Sequence, residues 1–315
     1  MKSFALAGVG RMGEWVAEEF LKLKASGAIS NVTILTRSSI SGNATHEKLA
    51  KSGAQVTAVD YDVHDSLVSI LTGVDAVVST VPDRGHVVDH KLADAAKATG
   101  VKLFLPSEWG LYSKGVREGF YIAHDSIHKH LDKIGLPYTL VYTGMWSDSI
   151  FTPAFGWDVP AGKVTIVGEG NTPITWTTRR DAARFLAHIL TTLQAERLAG
   201  KVISIEGDRK VRLSISAAEN SRLRSEPQQT LNELVEAYTF RTGKKLEVTY
   251  TSLADQEKIL RENSLHSYQA VLAWLLLAWE RGAADLATSP DGLSNNLWPD
   301  WNPKSAVDAM IETHP

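Results

Sequence analysis

Along the first half of the chain, apolar residues fall into short unbroken runs separated by stretches with helical spacing. Phe4-Ala5-Leu6-Ala7, Val32-Thr33-Ile34-Leu35-Thr36, 55–59, 76–81, Lys102-Leu103-Phe104-Leu105 and Tyr138-Thr139-Leu140-Val141-Tyr142 have the length and continuous apolarity of strands buried on both faces. Between them, 14–21, 65–71, 86–99 and 125–133 place apolar side chains three and four residues apart, the spacing of helices that pack one face on a core. Strict alternation of this kind predicts an α/β fold: a doubly wound parallel sheet with right-handed crossovers and helices on both faces. Ligands bind such sheets beyond the carboxyl ends of the strands. The loops 8–13, Arg37, 80–83 and 106–110 lie at those ends, so they are expected to converge on one crevice.

After Thr143 the texture changes. Trp146, Phe151, Phe155 and Trp157 occur in a stretch punctuated by Pro and Gly, and a strand and turn follow at 163–170. Thr178-Arg179-Arg180-Asp181 opens a helix running to about 194, with Asp181 complementing its N-terminal dipole. Further on, 202–207 and 246–250 read as strands and 231–242 as an amphipathic helix. The apolar run 270–279 is about half the length of a membrane span. Tyr268, Val271, Leu272, Leu275, Leu276 and Trp279 share one helical face, so this segment reads as a buried amphipathic helix. The expected organisation is a Rossmann-type domain over 1–150, to which 174–206 partly returns, and a smaller mixed α/β substrate domain from 151–173 and 207–315. Trp109, Trp146, Phe151 and Trp157 are candidate walls of a substrate pocket, although any one of them reads equally well as core.

One segment resists the pattern. Residues 211–229 are basic, serine-rich and aperiodic, and they separate a strand from the helix that begins near Leu231. Two readings fit: a surface loop insertion, or a retained intron, since Val-Arg can be encoded as GTAAGG and Gln as CAG, which match a splice donor and acceptor. A mature message that still carries the segment would exclude the second.

The first strand breaks into Gly8-Val9-Gly10-Arg11-Met12-Gly13 and then into a helix, which is the context a dinucleotide-binding turn requires. Gly8 permits the tight turn, Gly10 lets backbone approach a pyrophosphate, and Gly13 allows close packing of helix on strand, with the diphosphate on the helix N-terminus. The second strand ends in Arg37-Ser38-Ser39, where an NAD-preferring protein usually carries an acidic residue; an Arg there accommodates the 2′-phosphate of NADP. The expected cofactor is therefore NADP(H), contacted by the glycine turn, Arg37, Ser38, Thr80, Val81, Pro106, Ser107 and Glu108. A formal net charge of -3 gives no reason to expect a nucleic-acid or membrane partner. The absence of Cys excludes disulfides and thiolate metal sites. A cytoplasmic monomer or homodimer acting on a small-molecule substrate is expected.

The glycine turn, Thr36-Arg37-Ser38, 95–102 and above all Phe104-Leu105-Pro106-Ser107-Glu108-Trp109-Gly110 resemble the isoflavone reductase-like, or NmrA-like, atypical short-chain dehydrogenases. Gly135-Leu136-Pro137-Tyr138-Thr139 and Asn296-Leu297-Trp298-Pro299-Asp300-Trp301 resemble fungal branches of that family. The resemblance implies NADP(H) binding and hydride transfer to aromatic or polyketide-like molecules of specialised metabolism. Two departures stand out. Ala7 and Val9 replace a Gly and a Thr of the family's turn, and His124 occupies the place, about eleven residues before Gly135, where the family's reductases carry a catalytic lysine.

Hydride transfer to a carbonyl or conjugated alkene leaves an anion that needs a proton. His124 is the leading donor candidate, since an unperturbed imidazole titrates near pH ~6.5 and even a neutral ring can donate to a developing oxyanion. The start of a helix works against the protonated ring. Tyr121 is the second candidate, with Tyr112 and Lys114 behind it, while Ser107 and Glu108 are expected to fix the loop around the nicotinamide. His124 and His128 stand one helical turn apart, a chelating spacing, but the sequence shows no third ligand and no metal is expected. Two other functions fit the same residues: a cyclase or isomerase that retains the cofactor without redox turnover, and an NADP-sensing regulator.

Overall fold

The computed structural model describes residues 1–37, 43–82, 86–117, 119–208, 229–264 and 267–314. The first half alternates β1 (Ser3–Ala7), α1 (Gly13–Ala25), β2 (Asn31–Thr36), α2 (Ala44–Lys51), β3 (Gln55–Ala58), α3 (His64–Leu71), β4 (Ala76–Ser79), α4 (Val87–Ala98), β5 (Leu103–Leu105), α5 (Ile122–Ile134) and β6 (Leu140–Tyr142). The first five strands form one sheet in the order β3-β2-β1-β4-β5, all parallel. A bridge between Phe104 and Tyr138 carries it on towards β6, which pairs in parallel with Val202–Ser204. Phe4 and Leu6 of β1 face α1 through Val16 and Phe20, whereas Ala5 and Ala7 face the opposite layer with Leu67, Leu92 and Ile127. Both faces of the sheet are thus covered, which is the doubly wound α/β arrangement the apolar runs imply.

The helix Arg179–Thr192 packs on the α1 face and contributes Ala183, Phe185 and Leu186 to its core. It is capped by Thr178, whose side chain accepts from the backbone N–H of Asp181. A separate core gathers Phe151, Trp157, Trp176, Tyr238 and Trp279 around a three-stranded sheet of Trp157–Asp158, Lys163–Val167 and Glu247–Thr251. The helix Leu231–Thr242 begins in a capping box between Thr230 and Glu233 and ends on Gly243 in a left-handed conformation. The helix Tyr268–Glu280 buries Ala270, Ala273, Leu277 and Trp279. Among the described residues, no helix is long and apolar enough to cross a membrane.

Some boundaries differ from the sequence pattern. β4 ends at Ser79 rather than Val81, because Thr80 turns its hydroxyl back to the carbonyls of Gly8 at 2.8 Å and Ala7 at 3.2 Å. The helices Ala44–Lys51, Leu253–Glu262 and Ala306–Thr313 leave little trace in the apolar pattern; Leu253–Glu262 buries no residue at all. Their caps carry the signal instead: Ser252 with Asp255 and Ser305 with Asp308 pair across the first turn.

Ser38 and residues 211–228 of the aperiodic segment lie outside the described residues. Their flanks converge on one residue: Asp208 donates its N–H to the Trp176 backbone carbonyl at 3.0 Å, and the Trp176 indole donates to the carbonyl of Gln229 at 2.9 Å. Arg209 and Lys210 alone can span roughly 11 Å between those flanks. Deleting 211–228 while keeping Gln229 is therefore expected to leave a folded protein whose Tm falls by no more than about 4 °C. Thermal unfolding followed by circular dichroism checks this, and failure of the deletion variant to fold would show that the segment contributes to the core.

Candidate active site

The glycine turn follows from tight packing at one end and open space at the other. Gly8 has φ +86° and donates its N–H to Leu35 O at 3.0 Å. A Cβ on Gly13 would fall 2.2 Å from Gly8 O and 2.4 Å from Thr80 Oγ1, so no larger residue fits there. A Cβ on Gly10 would meet nothing within 4 Å, which leaves the backbone open to a ligand. α1 starts at Gly13 with Met12 at its cap position and no side chain bonded to its first N–H groups. An open groove passes over the turn, lined by Val9, Gly10, Arg11, Trp15, Lys48 and Arg179. Arg179 is fixed by Asp148 at 3.0 Å and donates to the Arg11 carbonyl at 3.3 Å. Arg37 lies exposed at the carboxyl end of β2, with no ion-pair partner among the described residues.

The loop after β5 lies against the end of β4. Ser107 donates its N–H to Asp89 Oδ2 at 3.1 Å, and the N–H of Glu108 bonds to Pro106 O at 2.9 Å. Trp109 has φ +37°, with its indole donating to Ser79 O at 2.7 Å. Apart from glycines, Trp109 and His86 (φ +51°) alone adopt positive φ among the described residues, and both border this crevice. Backbone held in such conformations costs energy that packing around a site must offset.

Glu108 is the centre of a hydrogen-bonded network. It is buried, and both carboxylate oxygens are taken: His124 Nδ1 and Ser113 Oγ lie 2.7 and 2.6 Å from Oε2, and His128 Nε2 lies 2.7 Å from Oε1. Burial pushes the carboxyl upward, but the hydrogen bonds and charges of His124 and His128 outweigh it and hold Glu108 far below the usual carboxylate range. The spacing of His124 and His128 on α5 thus serves to grip one carboxylate from two sides. Ser113 also meets the Tyr142 hydroxyl at 2.9 Å, which closes the network from β6. Next to His124, the His86 ring stands edge-on with centroids 4.5 Å apart, and His86 Nδ1 pairs with Asp89 Oδ2 at 2.7 Å.

On its other side His124 meets an aromatic wall. Tyr121 packs edge-on against His124 at 5.5 Å and against Trp274 at 5.0 Å, and Phe120 meets Trp274 at 5.2 Å. Burial, with the charge of Glu108 added, pushes the Tyr121 phenol far above its ordinary value, so it stays protonated and holds its proton tightly. Of the four aromatics singled out from the sequence, Trp109 flanks the loop and Trp146 donates its indole N–H to Thr143 Oγ1 at 3.0 Å. Phe151 and Trp157 pack edge-on at 5.0 Å inside the second core, at 2% and 1% exposure. Tyr112 and Lys114 are held by Asp291, at 2.6 and 3.3 Å. Val81 is buried behind the end of β4.

A doubly wound parallel sheet, a glycine turn with an uncapped helix behind it and a crevice at the carboxyl strand ends define a Rossmann-type fold of the kind built around nucleotide cofactors. Within that class the chain belongs to the NmrA-like family, which it matches over residues 5–302. It is 25% identical over 313 residues to an isoflavone reductase homolog from Arabidopsis thaliana, covering 95% of this chain and 94% of that protein. To phenylcoumaran benzylic ether reductase 1 of the same plant it is 25% identical over 276 residues, 83% of this chain and 80% of the other. Among solved structures, the binary complex of leucoanthocyanidin reductase with NADPH from Vitis vinifera superposes with a TM-score of 0.79 at 20% identity, over 99% of both chains.

Proposed function

We propose that this protein is an NADP(H)-dependent reductase of an aromatic or polyketide-like small molecule, with His124 as proton donor. The observation that carries the reading is the Glu108–His124 pair behind the β5 loop: a buried carboxylate bonded to an imidazole orients the ring, the logic of an acid–base dyad. The residues present suit NADP(H). Gly8, Gly10 and the free N-terminus of α1 would hold the diphosphate, Gly13 is too confined for any side chain, and Arg37 would hold the 2′-phosphate. When bound, the nicotinamide supplies or accepts a hydride. His124 gives a proton to the anion formed on the substrate, and Glu108 offsets the ring's charge before and after. Tyr121, Phe120 and Trp274 offer flat apolar faces that suit an aromatic ring and keep water from the reacting atoms. The names of the relatives, reductases of isoflavone and phenylcoumaran type, fit a substrate of that class.

Incubation with NADPH and a panel of aromatic ketones, enones and benzylic ethers, following nicotinamide absorbance and product mass together, tests the proposal. The expected result is cofactor oxidation in step with a product two hydrogens heavier. Turnover without cofactor oxidation would make the protein a cyclase or isomerase, the reading favoured by the exchange of lysine for His124. Tight cofactor binding without turnover would make it a sensor.

Cofactor selectivity gives a second test. Arg37→Asp removes the phosphate partner and adds repulsion, so affinity for NADPH is expected to fall by about tenfold or more while affinity for NADH holds or rises. Unchanged selectivity in fluorescence titrations would refute the assignment of Arg37.

A further inference from the structure

The crevice contains more ligating groups than proton donation uses. His86, Glu108 and His124 each offer a nitrogen or oxygen, and these atoms all lie within 4.8 Å of one another. His86 and Glu108 are buried, while His124 is half-buried and gives access from the crevice. We propose that these three side chains form a site for a divalent transition-metal ion of the zinc type, which occupies His124 and switches the reductase off. The proposal rests on the functional reading only for its inhibitory consequence.

Two imidazoles and one carboxylate, with no thiolate, are a donor set that zinc accepts, leaving a fourth position for water. Tetrahedral ligands about 2.05 Å from the ion stand about 3.3 Å apart, so closing from 4.8 Å takes less than about 1 Å of movement from each side chain. The partners behind the ligands match what metal sites need. Asp89 Oδ2 lies 2.7 Å from His86 Nδ1, which fixes that ring, and Ser113 and His128 hold the Glu108 carboxylate in place. Asp89 is 1% exposed, and its Oδ1 has no hydrogen-bond partner among the described residues.

The test titrates metal-free protein with Co²⁺, followed by its visible d–d absorption, and with Zn²⁺ by calorimetry; neither readout needs NADPH or substrate. One ion per chain is expected. His86→Ala should abolish the cobalt spectrum, and Asp89→Asn should weaken affinity about 10- to 100-fold as the loss of a supporting carboxylate does. His130→Ala removes an exposed His–Asp pair away from the cluster and should change nothing. Circular dichroism of each variant separates loss of the site from loss of the fold; if His86→Ala is unfolded, His86→Gln replaces it. No cobalt spectrum in the wild type, or binding unchanged in folded His86 and Asp89 variants, overturns the site. Where NADPH oxidation is measurable, Zn²⁺ should inhibit it in the wild type and not in the His86 variant. A protein that binds the ion but never oxidises NADPH keeps the site and loses only the reductase reading.

Discussion

His124→Ala is expected to lower kcat by about 10²-fold or more while leaving NADPH affinity within about twofold. The expectation rests on the division of labour around Glu108. Nδ1 of His124 is committed to that carboxylate, which fixes the ring and leaves Nε2 for the reacting molecule. The competing donor is Tyr121, whose ring touches that of His124. Burial and the neighbouring Glu108 charge both oppose ionisation of the phenol, so it gives up a proton poorly at the moment one is needed. Tyr121→Phe keeps the edge-on packing with Trp274 and removes only the hydroxyl; its kcat should stay within a few-fold of wild type. Single-turnover rates with saturating NADPH, beside cofactor titrations, check both variants. A near-normal rate for His124→Ala together with a large loss in Tyr121→Phe would transfer the role to the tyrosine.

The sequence carries the framework of this site because the framework depends on local rules. Strand-length apolar runs and helical spacing locate β1 to β6, and Gly8, Gly10 and Gly13 announce a turn whose steric demands are local as well. What it does not carry are contacts between distant elements. His86, Asp89 and Ser113 read as ordinary loop or helix residues, and only the convergence of the β4, β5 and α5 ends places them around Glu108 and His124. Trp274 sits in an apolar run that reads as plain core, yet its ring closes the wall beside His124 through Tyr121 and Phe120. Conversely, Phe151 and Trp157 have the composition of a pocket and lie in a core, because aromatic size serves both purposes and only topology separates them. Glu108 shows the same limit. Its motif marks it as important, but only the folded chain shows the two imidazoles and one hydroxyl that hold it.

That burial makes Glu108 the residue whose loss should affect fold and function together. Glu108→Ala removes the acceptor for three side chains and leaves His124, His128 and Ser113 to find other partners in a buried setting. Breaking a buried charged network on one side costs about 3–5 kcal/mol, which in a chain of this size lowers Tm by roughly 10 °C. Glu108→Gln keeps the volume and one acceptor oxygen but turns an NH2 group towards donors, so it should recover part of the stability and little of the activity. The pH dependence has a fixed sign. The folded carboxyl is held below its unfolded value, so its contribution is complete above the unfolded pKa and is lost as the pH falls towards the folded one. The stability gap between wild type and Glu108→Gln should therefore narrow as the pH falls through the acid range. Urea unfolding at a series of pH values measures it, and a gap that widens on acidification would show that the carboxylate is not the charged centre of the network.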